Sequence, residues 1–246
     1  MTKMKQQKML KSTVYSIITV PVFAVLYTFT FLATLTAIVF AHLNFKKALQ
    51  MNISIWGNGL FWLMGKKLHI SGLDLIDKQK KYVLVANHCS LFDIPAIMSF
   101  FPRVSWFGRE RLVKIPVFGQ LLKSIDYVPM RSKGIKNTKE MLSQLINKSA
   151  GFTVAMFPEG TRTVTGELGR FRKGFLHILR AGDMDLLPVT LNGFFQFKAK
   201  NRFYINFDTK LKIIVHKPIS NEVLKSMQDN EIISQARDLI ESGLKN

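Results

Sequence analysis

The chain has 246 residues, enough for one well-cored domain with an appendage, and a formal net charge of +19. Its one cysteine, Cys89, excludes an internal disulfide and fits a reducing compartment. A basic balance can signal nucleic acid, but no RNA-binding alternation of aromatic and basic residues occurs here, nor any zinc-ligand spacing, so that class is set aside. The five histidines are scattered, and no metal is expected.

Charge is unevenly distributed. No Asp or Glu precedes Asp74, while Lys3, Lys5, Lys8, Lys11, Lys46, Lys47, Lys66 and Lys67 all fall in that stretch. Between Lys11 and Lys46 runs an uncharged apolar segment, Thr13 to Leu43. It is too long for a signal-peptide core, and no small-residue cleavage site follows it. As one straight helix its 31 residues would reach roughly 46 Å. A bilayer core is about 30 Å thick, and two full spans would need about 40 residues. Basic residues flank both ends, and the positive-inside tendency keeps both flanks cytosolic. The segment therefore reads as a re-entrant or in-plane helical hairpin, broken near Pro21 or in its Thr-rich middle, in preference to one tilted span. Trp56 and Trp62, just before Lys66 and Lys67, suit a headgroup interface. The alternative is a core helix with tryptophans at its ends.

From about Lys67 the pattern becomes short alternating elements. Strands are expected at Leu68 to Ile70, Tyr82 to Ala86, Val104 to Phe107, Ile125 to Val128, Phe152 to Phe157, Leu186 to Leu191, Tyr204 to Phe207 and Lys212 to Val215. Several are unbroken β-branched or aromatic runs, as in strands covered on both faces. Helical patterns fall at Ile94 to Phe101, Thr138 to Asn147, Gly174 to Ala181 and Glu231 to Leu244. The alternation predicts an α/β fold, a mostly parallel central sheet flanked by helices.

Two motifs follow predicted strand ends, where ligands sit in such folds. The first is Asn87-His88-Cys89-Ser90-Leu91-Phe92-Asp93. On a continuous helix, five positions rotate about 500°, so His88 and Asp93 meet only if the residues between them turn. Asp93 would then engage one imidazole nitrogen and leave the other free as a base near neutral pH. Read alone, Ser90-x-x-Asp93 is equally a helix capping box. The second motif is Phe157-Pro158-Glu159-Gly160-Thr161-Arg162, a strand end and a turn with Gly160 available for a positive φ. Its amides, Thr161 and Arg162 could surround an anion; the plain alternative is a surface turn in which Glu159 pairs with Arg162.

In this order and spacing the two motifs resemble those of the glycerolipid acyltransferases, most closely the 1-acylglycerol-3-phosphate acyltransferases. The segment from Gly108 to Gly119 resembles the family's basic block and its Ile-Pro turn, and Phe171-Arg172-Lys173-Gly174 and Leu187-Pro188-Val189 match later blocks. Arg109 stands where the family commonly has Lys, and the block ending at Arg131 lacks the usual Gly; both keep a cation.

The resemblance implies a catalytic domain over 67–246 behind membrane-anchoring helices in 1–66. It also implies acyl transfer to the sn-2 hydroxyl of a lysophospholipid acceptor. The donor would be acyl-coenzyme A or acyl carrier protein, with no cofactor. His88 would be the base and Asp93 its orienting partner. Arg162 would hold the acceptor phosphate, supported by Arg131 and Arg109, with Glu159, Gly160 and Thr161 shaping that site. Asn87, Ser90, Phe157 and Pro158 would support the motifs. The domain is expected at the cytoplasmic face of a membrane. Alternatives are the same chemistry on another acceptor, a lipid-binding protein with a vestigial site, and a thiol hydrolase using Cys89.

Overall fold

The computed structural model describes residues 3–77, 79–114, 119, 122, 127–130 and 153–245. Arg131, the expected helix from Thr138 to Asn147, and residues 115–118 and 124–126 of the matching blocks lie outside the described residues.

Helix α1 (Lys3–His42) is one unbroken helix that passes through Pro21, correcting the expected break there. A mid-helix proline costs about 3 kcal/mol or more. Packing on both sides of it outweighs that cost: Thr19 and Leu26 are buried, and Phe23 stacks on Phe92 at 6.4 Å. The chain instead reverses after His42. Asn44 is left-handed (φ 57°), Phe45 N–H donates to Phe40 O (2.8 Å) and Asn44 N–H to Ala41 O (3.1 Å), a Schellman stop.

Helix α2 (Lys46–Leu63) then runs back along α1. Asn52 meets Thr36, Trp56 meets Thr30, and a side chain on Gly59 would strike the Phe29 ring. The hairpin expected within Thr13 to Leu43 does not form; the chain reverses only at Asn44, between α1 and α2. Trp62 is 78% exposed, whereas Trp56 is held between the helices by its hydrogen bond to Thr30 (3.1 Å).

The buried residues of α1, namely Thr19, Leu26, Thr34 and Ala37, form one narrow stripe at helical spacing. Around the rest of the helix Ile17, Val20, Tyr27, Phe31, Leu32, Leu35 and Val39 face outward. Polar residues occupy such positions in a surface helix of a water-soluble protein.

The remaining chain forms a seven-stranded sheet in the order β1-β7-β6-β2-β5-β3-β4. The strands are β1 (Leu68–Ser71), β2 (Tyr82–Ala86), β3 (Val104–Arg109), β4 (Val128–Met130), β5 (Thr153–Met156), β6 (Asp185–Asn192) and β7 (Leu211–Val215). All neighbouring pairs among them are parallel except β6 with β7. The mostly parallel sheet expected from the sequence is therefore present.

Strand β2 shows why its run is apolar throughout. Tyr82, Leu84 and Ala86 enter one core with α1, α2 and α3 (Asp93–Phe100), while Val83 and Val85 enter another. That second core includes α4 (Gly174–Gly182) and the last helix, Asp229–Leu244.

The segment Tyr204 to Phe207 is not a strand, contrary to the alternation of its residues. Strand β7 already pairs with β1 and β6, and Tyr204 and Phe207 pack instead on Tyr15 of α1 at 6.2 and 5.7 Å. Ile205 N–H donates to the buried Thr19 hydroxyl at 2.9 Å.

Helix α3 lies on α2 at close range. A Cβ on Gly57 would come within 2.7 Å of Pro95 O and 2.8 Å of Ser99 N, so only glycine admits the α3 backbone there. Phe92, just before α3, is enclosed by Phe23, Phe61 and Phe197 at 6.4, 6.0 and 5.2 Å. Burying a phenylalanine fully contributes roughly 1.5–3 kcal/mol. This cluster fixes where the next residue, Asp93, sits.

Candidate active site

Strands β2 and β5 are adjacent and parallel, Val83 beside Val154 and Val85 beside Met156. The loops that leave their C-terminal ends therefore emerge at one rim, as such folds place their ligands. They are stitched together there. His88 N–H donates to Glu159 Oε1 (2.6 Å), and Thr163 N–H donates to His88 O (2.8 Å). The His88 ring stacks on Phe157 at 3.9 Å and 8°, and Phe157 stacks on Trp106 of β3 at 5.4 Å.

His88 and Asp93 meet across the turn. Asp93 is fully buried, and its Oδ2 accepts from His88 Nδ1 (2.8 Å), Cys89 N–H (2.7 Å) and Ser90 N–H (2.8 Å). The capping-box reading is not realised: α3 starts at Asp93 with Phe92 as its N-cap and no side-chain cap. Asp93 Oδ2 instead closes the turn over the Cys89 and Ser90 amides and orients the imidazole. A carboxylate only accepts, so Nδ1 carries the proton and Nε2 is left with its lone pair. The His88 side chain is 18% exposed, enough for a substrate hydroxyl to reach it.

The supporting residues are buried and spend their polar atoms on backbone. Asn87 accepts from Leu191 N–H (2.8 Å) and donates to Leu191 O (3.0 Å), tying the loop to β6 as another strand residue would. Ser90 Oγ donates to Lys198 O at 2.9 Å. Cys89 is buried and its Sγ accepts from Asn87 Nδ2 at 3.1 Å. Burial pushes its thiol well above the ordinary range, aided by the negative charge of Asp93. A buried, protonated thiol is no nucleophile.

In the second motif, Glu159 is buried and points inward. Its Oε1 serves His88 N–H and its Oε2 accepts from Gly169 N–H at 2.8 Å. Burial raises its carboxyl above the ordinary glutamate range, against the opposing pull of those two amides. Glu159 does not pair with Arg162. Pro158 is buried and its carbonyl accepts from Arg172 N–H (2.9 Å).

Gly160 closes the turn at φ 71°, donating to Phe157 O at 3.0 Å, and a Cβ on it would stand 3.3 Å from the Arg172 guanidinium. Gly160 and Thr161 are exposed, and Arg162 is half-buried without a hydrogen-bond or ion-pair partner among the described residues. Arg109 ends β3 beside Met130 at the same rim. Arg131, the residue after Met130, lies outside the described residues.

Sequence reasoning missed three residues here: Trp106 beneath Phe157, Gly169 on Glu159, and Lys198, whose carbonyl meets Ser90. None sits inside a motif, and only the fold brings them in. Among the described residues no three His, Cys, Asp or Glu side chains converge as a metal site requires.

A parallel sheet carrying a histidine–carboxylate pair on the loop after β2 and a turn ending in arginine after β5 defines an α/β acyl-transfer scaffold. Residues 67–192 match the acyltransferase family model, just over half the chain, and the chain belongs to that family. It is 31% identical to the 1-acyl-sn-glycerol-3-phosphate acyltransferase of Cocos nucifera over 56% of this chain and 46% of that one. It is 27% identical to a probable 1-acyl-sn-glycerol-3-phosphate acyltransferase of Mycoplasma genitalium over 80% and 76%. The match thus spans under half the length of the coconut relative. The crystal structure of the 1-acyl-sn-glycerophosphate acyltransferase of Thermotoga maritima superposes with a TM-score of 0.73 at 25% identity, covering 98% of this chain and 96% of that one.

Proposed function

We propose that this protein transfers a fatty acyl group from a thioester, acyl-coenzyme A or acyl carrier protein, to the sn-2 hydroxyl of 1-acylglycerol-3-phosphate at a membrane surface, forming phosphatidic acid. The observation that carries the reading is the His88–Asp93 contact of 2.8 Å, which commits Nδ1 to a buried carboxylate and leaves Nε2 as base. Nε2 takes the proton of the acceptor hydroxyl as its oxygen attacks the thioester carbonyl. The new C–O bond forms, the C–S bond breaks, and the imidazolium returns the proton to the leaving thiolate.

Asp93 stabilises the imidazolium while it lasts. General-base help of this kind is worth roughly 10²–10⁴-fold, and holding the two substrates together supplies much of the rest. The acceptor itself is the nucleophile, so no acyl-enzyme forms. Arg162, free of protein partners among the described residues, takes the acceptor phosphate.

The membrane part of the reading rests on α1. Within Met9–His42 an 18-residue window has a mean hydropathy of 2.1 with only 17% of it buried, and Trp62 projects from α2. Lys46 and Lys47 stand exposed at the turn between α1 and α2 and would each gain about 1 kcal/mol near anionic lipid, whereas Lys11 pairs with Asp208 and Lys66 donates to Phe207 O. Acceptor and product both dissolve in the bilayer and the thioester headgroup does not, so a cytoplasmic-face site reaches all three.

The test is product analysis by mass spectrometry. Detergent-purified protein, given palmitoyl-coenzyme A or palmitoyl carrier protein, should convert 1-acylglycerol-3-phosphate to phosphatidic acid in preference to acylating glycerol-3-phosphate or lysophosphatidylcholine. A preference for either of those two acceptors would overturn the acceptor assignment.

A further inference from the structure

Beside the histidine motif lies a group of cations that neither motif contains. Lys198 ends the short helix α5 (Phe194–Lys198), and only 8% of it is exposed. Its Nζ donates to Ala199 O at 3.2 Å and to Arg202 O. Among the described residues the Arg202 guanidinium reaches the carbonyls of Phe195, Gln196 and Tyr204, and lies 5.0 Å over the Tyr204 ring.

Burial lowers the Lys198 pKa, and the nearby charges of Arg202 and then Arg162 lower it further, so three cations share one neighbourhood. None of them is paired with a carboxylate among the described residues. The two acids of the site are spent elsewhere, Asp93 on His88 and two amides, Glu159 on His88 N–H and Gly169 N–H. Concentrated positive charge withdrawn from water is costly unless an anion meets it.

The backbone places this group on the candidate base from both sides. Lys198 O accepts from Ser90 Oγ at 2.9 Å, and Ser90 bridges Ala199. Asn201 Nδ2 donates to Val164 O (3.3 Å), while Thr163 N–H, the amide next to Arg162, holds His88 O at 2.8 Å. These contacts hold the backbone at Lys198 and at the residue after Arg162 on the His88 loop, a placement that suits a phosphate joined to the sn-2 hydroxyl by a short glycerol arm.

We propose that Lys198, supported by Arg202, forms the second half of a phosphate-monoester seat with Arg162, and that it selects anionic acceptors. This rests on the acceptor reading above. The ammonium has donors beyond the two carbonyls, and the phosphate oxygens accept from it. Bound phosphate also relieves the repulsion among the three cations.

The experiment measures kcat/KM of the full chain in detergent with 1-acylglycerol-3-phosphate and with its phosphate-free counterpart, 1-acylglycerol. The donor is palmitoyl-coenzyme A or the phosphate-free N-acetylcysteamine thioester. Lys198→Met should cut the anionic-over-neutral acceptor ratio roughly ten- to hundredfold, and Lys198→Arg should keep most of it. Arg202→Gln should lower the same ratio, which covers the case in which the Met variant does not fold.

A Met variant that slows both acceptors equally would show a structural lysine and overturn the proposal. A change confined to coenzyme A against N-acetylcysteamine would move the seat to the donor and equally overturn it. Arg162→Ala separates the two layers. If it lowers the acceptor ratio and Lys198→Met does not, only this inference fails. If neither does, the phosphate reading itself fails.

Discussion

Asp93→Asn should leave the fold standing and lower kcat by roughly 10²–10⁴-fold, the range for loss of general-base help. One oxygen of Asp93 receives His88 Nδ1, Cys89 N–H and Ser90 N–H within 2.8 Å. An asparagine carbonyl can stand in that position and keep all three donors. It carries no charge, so the imidazolium that forms in the transition state loses its counter-ion. Asp93→Ala differs in kind. It leaves the Cys89 and Ser90 amides without an acceptor in the interior, at about 1–3 kcal/mol each, and should lower the melting temperature as well as kcat.

His88→Ala should match Asp93→Asn in rate, and the double variant should be little worse than the poorer single one, since the two side chains act as a unit. Steady-state kinetics and thermal unfolding on the same detergent preparations check all four variants. Multiplicative losses in the double variant would mean that Asp93 works independently of His88.

The second large effect concerns Glu159, which touches no substrate in this account. Its two oxygens serve two different N–H groups, of His88 at 2.6 Å and of Gly169 at 2.8 Å. Glutamine has one acceptor and would turn an NH₂ toward one of those donors. Glu159→Gln should therefore misplace His88 and cost about 10²-fold in kcat/KM, the scale of a 1 Å displacement at a reacting centre.

The pH dependence should carry the same signature. Because burial raises the Glu159 carboxyl, the native state holds its proton more tightly than the unfolded chain does. This group's burden on stability is thus present above its native value and eases as pH falls through it. Activity runs the other way, because a protonated carboxyl accepts well through one oxygen only. Activity should fall with pH above the ordinary glutamate range while the melting temperature holds, and the Glu159→Gln profile should keep only the loss that any general base shows on protonation.

The parts of the site legible in the sequence are those fixed by local chain. A covered parallel strand must be apolar on both faces, so β2, β5 and β6 announced themselves as unbroken runs, and the two motifs followed their ends. The His88–Asp93 contact was readable because the residues between them had no reason to stay helical. Three features depended on distant packing. Pro21 reads as a breaker until Thr19 and Phe23 are seen clamped against the Tyr204 segment and Phe92.

Tyr204 to Phe207 has the alternation of a strand but finds its partners on α1. Lys198 looks like any surface lysine until α5 folds it behind Ser90. Asn44 is a local signal by contrast, since asparagine tolerates the left-handed conformation that stops α1.

The most direct test of the central claim, His88 as base for an acceptor hydroxyl with no acyl-enzyme, is thiol release from palmitoyl-coenzyme A. It would be followed with and without 1-acylglycerol-3-phosphate, in the native protein and in His88→Ala. Release that requires the acceptor, shows no burst without it and falls by roughly 10²–10⁴-fold in the variant is the predicted result. A burst of thiol without acceptor, or turnover that survives in His88→Ala, would contradict it.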